Sequence, residues 1–331
     1  MRAMLLESPA AIEQAPLVER TLPDTAPGPQ ELLLRVEACA VCRTDLQIAE
    51  GDLGARTLPI VPGHQIVGLV EAAGAEVREW RLGDRAGVAW PARTDGTCRF
   101  CTSGRENLCL DARFTGWDRN GGYATHATVD ASFALRLPSE GEAIAMAPLL
   151  CGGVIGYRAL KRSGIGPGGR LGLFGYGASA HLALQVALHW GCEVYVFTRN
   201  GREQERAREM GAVWAGGYDG SPGVALDAAV SFAPVGEVVI AALRNVDRGG
   251  VVAINAIHLD RIPQFDYDLL WWEREVRSVA NVTRADAQQF LDLATSIPVV
   301  TDTQTFALSE ANEALRLLKA GGLEGTAVLV P

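Results

Sequence analysis

The sequence lacks any uninterrupted run of about 20 apolar residues, the length that a bilayer-spanning helix needs. Its longest apolar stretches are broken by His181, Gln185, His189, Asp227 and Glu237. No membrane span and no membrane partner is expected. An excess of positive charge is also missing: 30 Lys and Arg stand against 39 Asp and Glu, a formal net charge of −9. That argues against a broad footprint for nucleic acid, while a local basic pocket for a phosphate stays open. The start, Met1-Arg2-Ala3-Met4, has neither the apolar core nor the cleavage site of a secretory leader, so the expected location is cytoplasmic. Internal repeats and low-complexity tracts are absent too.

What is present describes a packed globular chain. Of 331 residues, 48% are hydrophobic and 21% charged, and the length suits about two domains. Residues 1–150 are punctuated by Gly and Pro, with short β-like runs at 32–37 and 66–70, which predicts a β-rich, partly barrel-like domain. The pattern changes after Leu150. Residues 170–174 read as a buried strand. A glycine turn follows, then a helix with Leu182, Val186 and Trp190 near one face. Residues 194–197, 227–231 and 251–254 read as further strands, and 202–210 as a polar helix. This alternation predicts an α/β fold, a parallel sheet with helices on both faces. Near the end, residues 308–319 read as a helix with Ser309 as N-cap, stopped by Gly321-Gly322, and 327–330 as a strand.

The glycine turn is Gly175-Tyr176-Gly177-Ala178-Ser179-Ala180, a G-x-G-x-x-A pattern between a strand and a helix. The first glycine permits a tight turn, the second lets backbone approach a pyrophosphate, and the small third residue lets helix and strand pack closely. The pattern alone is weak, and a purely structural turn is the competing reading; its context favours a dinucleotide. An acidic residue ending the next strand would select NAD. Here Thr198-Arg199 stands there, a hydroxyl and a guanidinium suited to a phosphate, which favours NADP(H) over NAD(H).

Seven cysteines are present, three of them clustered, which in a cytosolic chain points to metal more than to disulfides. Asp95-x2-Cys98-x2-Cys101-x7-Cys109 has the spacing of a structural zinc loop, and a carboxylate is an admissible fourth ligand. Cys42, His64 and Cys151 are scattered, and spacing by itself leaves them as ordinary buried residues.

Taken together, these residues resemble the zinc-containing alcohol dehydrogenases of the medium-chain dehydrogenase/reductase superfamily, over nearly the whole chain. Cys39-Ala40-Val41-Cys42-Arg43-Thr44-Asp45, Pro62-Gly63-His64-Gln65 and Leu149-Leu150-Cys151-Gly152 resemble the three segments that bear the catalytic zinc ligands. The 95–109 loop falls where the family carries a structural zinc lobe; Gly83-Asp84-Arg85 and Gly121-Gly122-Tyr123-Ala124 match further landmarks. The resemblance implies a Rossmann cofactor domain at 151–286, and a GroES-like catalytic domain at 1–150 to which the chain returns at 287–331. It implies Cys42, His64 and Cys151 on a catalytic zinc, Thr44 on the substrate alcohol and Asp45 orienting the zinc-bound histidine. Arg43 would contact the pyrophosphate, Arg284 would hold a phosphate, and Trp90 would line the substrate pocket or simply be a buried aromatic. Homodimers or homotetramers and a small alcohol or carbonyl substrate are implied as well.

Three positions depart from the family pattern. Gln47 replaces a histidine that ends the usual proton relay, Gln65 a glutamate beside the zinc-binding histidine, and Asp95 the first structural cysteine. The reading that follows is hydride transfer between NAD(P)(H) and a small alcohol, aldehyde or ketone. Two alternatives share the fold: reduction of an activated C=C or C=N bond, and a non-catalytic cofactor-binding protein.

Overall fold

Strand-forming runs separated by glycine turns build two large sheets and two two-stranded ones in the computed structural model, which describes residues 1–23, 25–257 and 259–331. The chain divides into two units. The first comprises Met1–Cys151 and Asn281–Pro331, the second Gly152–Ala280. Residues 281–286, expected with the cofactor domain, therefore pack with the first unit.

The first unit is β-rich. Its organising strand is Glu31–Ala40, where Leu32, Leu34, Val36 and Ala38 alternate inward as a half-buried strand requires. It pairs antiparallel with Gln65–Ala73, His126–Asp130 and the C-terminal strand Thr326–Val330. Thr303–Ala307 lies parallel beside the last of these. Register shifts between Leu33 and Leu34 and between Val36 and Ala38 mark bulges that let one strand serve several partners.

In the second unit six strands run parallel. Arg170–Phe174 lies between Glu193–Phe197 and Leu226–Ser231; Trp214–Gly216 lies outside the former, and Val246–Ile254 and Glu275–Ser278 outside the latter. In chain order this is 3-2-1-4-5-6, the doubly wound arrangement whose ligands sit beyond the carboxyl ends of the strands at the reversal point. Leu171, Leu173 and Phe174 have no exposed surface, and the Phe174 and Phe197 rings stack at 4.0 Å.

Local differences from the sequence reading have simple causes. Trp190 falls just past the helix Ala178–His189, at its C-cap. Ser309 does not cap the C-terminal helix. Glu310 stands at its N-cap without a side-chain cap bond; its carboxylate accepts the Ala307 N–H at 2.7 Å and so closes the 3₁₀ turn Leu308–Glu310 that precedes the helix Ala311–Ala320. One stretch, Ala143–Ser163, is long and apolar enough to cross a bilayer. It is broken by the 3₁₀ turn Ala147–Leu150 and the non-helical Cys151, and more than half of its most apolar part is buried inside the protein.

Candidate functional site

Cys42 stands at the N-cap of the helix Arg43–Glu50, and Asp45, in that helix's first turn, is fully buried. The two Asp45 oxygens serve three partners. Oδ2 accepts the Cys42 N–H at 2.8 Å, while Oδ1 accepts the Gly63 N–H at 3.2 Å and lies 3.0 Å from His64 Nδ1. A carboxylate only accepts, so His64 carries a proton on Nδ1 and its Nε2 lone pair is left for a metal. Gly63 adopts φ +94°, and a Cβ there would lie 2.4 Å from the buried Tyr123 ring, so only glycine fits.

Cys151 follows the 3₁₀ turn and brings its sulfur to 3.9 Å from that of Cys42. Two thiolates on a tetrahedral zinc, each bonded at about 2.3 Å, stand about 3.8 Å apart. All three donor atoms lie within 4.8 Å of one another, so the set fits a zinc ion that keeps one position open. Burial opposes a charged His64, yet Asp45 and Cys42 push its pKa up to about 10, so a metal that binds Nε2 must displace a proton from it. Contact with the Cys151 sulfur, helped by His64, holds the Cys42 thiol well below its ordinary value, and Cys151 is pushed up in turn. The pocket is thus built to stabilise a thiolate.

Thr44 is 5% exposed, with its hydroxyl 3.8 Å from the Cys42 sulfur. Trp90 meets the His64 ring edge-on at 4.9 Å and stacks on Phe114 and Trp117, forming an aromatic wall beside the donors. Arg43, the first residue of its helix, is exposed.

Asp95, Cys98, Cys101 and Cys109 also converge, their donor atoms within 4.8 Å of one another. Asp95 Oδ1 accepts the N–H groups of Thr97 and Cys98, both at 2.8 Å, and Oδ2 lies 3.2 Å from the Cys109 sulfur. The two backbone donors, with Cys109, hold the Asp95 carboxyl well below the usual carboxylate range. Burial, helped by Asp95, pushes Cys109 up to about 12. An anchored carboxylate and three thiols form a complete four-donor set.

In the second unit, Gly175 takes φ +93° directly after the first strand, and a Cβ would come 3.1 Å from the Ala233 nitrogen. Gly177 caps the following helix with no side-chain partner for the first amides, so those of Ala178 and Ser179 remain available to an anion. Ala180 has no exposed surface, as the close-packing position demands. Thr198 is buried at the end of the second strand and Arg199 beside it is exposed. Arg284 belongs to the first unit. Its guanidinium lies over the Phe133 ring and donates to the Ser132 carbonyl at 3.1 Å, and its N–H donates to Glu106 at 2.9 Å.

Two acidic residues escaped the sequence reading. Glu106, buried within the metal loop, holds the start of the helix Arg284–Ser296. Glu203 receives the Thr198 hydroxyl. Neither lies in a motif, and only its place at N3 of the helix Gly201–Glu209 hinted that Glu203 could turn back.

Residues 28–139 match the alcohol dehydrogenase GroES-like domain. Over its full length the chain is 46% identical to the probable alcohol dehydrogenase AdhA of Mycobacterium tuberculosis, covering 97% of that protein. Among solved structures, a thermostable alcohol dehydrogenase from Pyrobaculum aerophilum with cobalt and zinc bound superposes with a TM-score of 0.90 at 25% identity, covering 100% of this chain and 99% of that one. A zinc-binding dehydrogenase from Sinorhizobium meliloti, bound to NADP, does so at 0.86 and 25%, with the same coverage.

Proposed function

The chain belongs to the zinc-dependent alcohol dehydrogenases of the medium-chain dehydrogenase/reductase superfamily, and from that premise we propose that it interconverts small alcohols with their aldehydes or ketones, with NADP(H) favoured over NAD(H) and two zinc ions bound per chain. The observation that carries this reading is the convergence of Cys42, His64 and Cys151 on one point, with Asp45 fixing the imidazole. It also weighs against the non-catalytic alternative, while relatives named as alcohol dehydrogenases weigh against reduction of a C=C or C=N bond.

Zinc held there would supply Lewis-acid polarisation of the substrate oxygen, and the nicotinamide would carry the hydride. The chain's own residues do the rest. Asp45 holds the His64 ring in one tautomer and orientation. The Thr44 hydroxyl, beside Cys42, accepts the proton that a substrate alcohol gives up and passes it outward. Gln47, one turn along the same helix, cannot take up a proton, so release goes directly to water. Trp90, Phe114 and Trp117 offer an apolar wall to the substrate carbon chain. The amides at Gly177–Ser179 suit a pyrophosphate, and Thr198 and Arg199 a further phosphate; Arg43 and Arg284, both of the first unit, are the other candidate cofactor contacts. Asp95, Cys98, Cys101 and Cys109 would hold the second, structural zinc. A cytoplasmic location and a homodimer or homotetramer complete the proposal; all seven cysteines are unpaired, which suits a reducing compartment.

The test is one screen of primary and secondary alcohols and their carbonyl partners against both cofactors, with zinc counted per chain. Turnover that disappears when zinc is removed and returns on its re-addition is expected. Zinc-loaded protein that turns over no member of the panel with either cofactor would sink the reading.

A further inference from the structure

Resting on the nicotinamide-cofactor reading above, we infer that Glu203 is the residue that sets this chain's discrimination between NADP(H) and NAD(H), and that it acts against the phosphate. In a sheet of this strand order the adenosine ribose lies beyond the end of the second strand, where its 2′ substituent is recognised. That strand is Glu193–Phe197, and Thr198 and Arg199 follow it. The Thr198 hydroxyl, 3% exposed with the rest of its residue, donates to the Glu203 carboxylate. Glu203 reaches back to it from the first turn of the helix Gly201–Glu209. Two further bonds hold the arrangement. Gln204 Nε2 donates to the Thr198 carbonyl at 2.7 Å, and Asn200 Oδ1 accepts the Arg202 N–H at 3.0 Å. Charges of both signs gather here. Arg199 and Glu203 both act on the Tyr218 hydroxyl, and Arg206 and Glu203 on that of Tyr176 in the glycine turn.

The two cofactors ask for opposite chemistry at this spot. A free 2′-hydroxyl is a donor, and a carboxylate is a strong acceptor for it. A 2′-phosphate brings only acceptors and negative charge. It needs the Thr198 hydroxyl and the Arg199 guanidinium, yet finds the hydroxyl given to a carboxylate whose charge repels it. Glu203 therefore provides, from five residues further on, the acidic group that the strand end lacks. Arg199 pulls towards the phosphate, Glu203 pushes it away, and the chain accepts both cofactors with its preference held small.

Fluorescence titration of the zinc-loaded enzyme with NADPH and with NADH, without substrate, tests this in the wild type, Glu203→Gln and Glu203→Ala. Glutamine keeps an acceptor for Thr198, removes the charge and can turn an amide N–H towards a phosphate. The ratio of the two dissociation constants should move towards NADPH by about tenfold in Glu203→Gln, and in the same direction in Glu203→Ala. A ratio that moves less than twofold, with both cofactors still bound, overturns the inference and leaves the cofactor reading in place. Binding of neither cofactor to the wild type overturns both.

Discussion

Asp45 joins the start of a helix to the start of a strand through hydrogen bonds to Cys42 and Gly63, and turns His64 towards its neighbours. Asp45→Asn keeps the size but removes the charge, and forces one of its atoms to be a donor where a partner also donates. Zinc affinity should fall by about 10- to 100-fold, read by chelator competition, while the melting temperature of the zinc-loaded protein changes little. Unchanged zinc affinity would mean that Asp45 only braces the backbone. Gln47 is half-buried, three residues after Thr44 on the same helix. Gln47→His should raise alcohol oxidation near neutral pH by roughly threefold to tenfold and add an ionisation near pH 6.5 to the rate profile. A profile identical to the wild type's would remove position 47 from any proton path. At this scale the sequence shows residue types but not their meeting. Cys42 and Cys151 are ordinary buried cysteines until the resemblance to a family, or the fold, brings their sulfurs together. Glu203 had only its N3 place in a helix as a signal, because its partner is a hydroxyl five residues back.

At the scale of elements, the 95–109 loop carries an exposed ligand, Asp95, beside the half-buried Cys98 and Cys101. It consists of turns and two 3₁₀ segments, Cys101–Ser103 and Glu106–Leu108, with no regular sheet or helix of its own beneath its ligands. Its geometry rests on whatever the four donors hold, and one donor is a hard oxygen in place of a soft sulfur. Mild chelation should remove this loop's zinc first and expose residues 95–112 to limited proteolysis, with the other zinc retained. Asp95→Cys should slow that loss by at least tenfold. Simultaneous loss of both ions at the same chelator concentration would contradict the difference in ligand strength. The loop was legible from spacing because its ligands are local. The bond from Glu106 to the Arg284 amide was not legible, since it joins segments 178 residues apart.

For the molecule as a whole, the alternation of strand and helix after Leu150 sufficed to read the parallel sheet. The four strands read there are short, mostly apolar runs, whereas Trp214–Gly216 is only three residues long and Glu275–Ser278 is mostly polar, so neither was read. The β-rich unit was harder to read, because Glu31–Ala40 serves partners from three distant parts of the chain and bulges change its register. The division between units yields its own expectation. Residues 152–280 contain all six strands of their sheet in one continuous segment, so that segment expressed alone should fold cooperatively, as circular dichroism and a single melting transition would show. Residues 1–151 alone lack Thr303–Ala307 and Thr326–Val330, which leaves the Cys39–Ala40 end of Glu31–Ala40 without its partner, and should aggregate. A soluble, cooperatively folded 1–151 fragment would show that the C-terminal strands are dispensable.

That same late strand sets a timetable for synthesis. Cys42, His64 and Cys151 leave the ribosome well before Thr326–Val330, which completes the sheet beside Cys39 and Ala40. At roughly 5–20 residues per second the gap lasts on the order of ten seconds or more. Before that interval ends Gly152–Ala280 can already be folded, while the nascent thiols wait beside an unfinished sheet. An oxidant or a stray thiophilic ion reaching them then competes with zinc on equal terms, so the yield of active protein should depend on zinc supply during translation more than on zinc added afterwards.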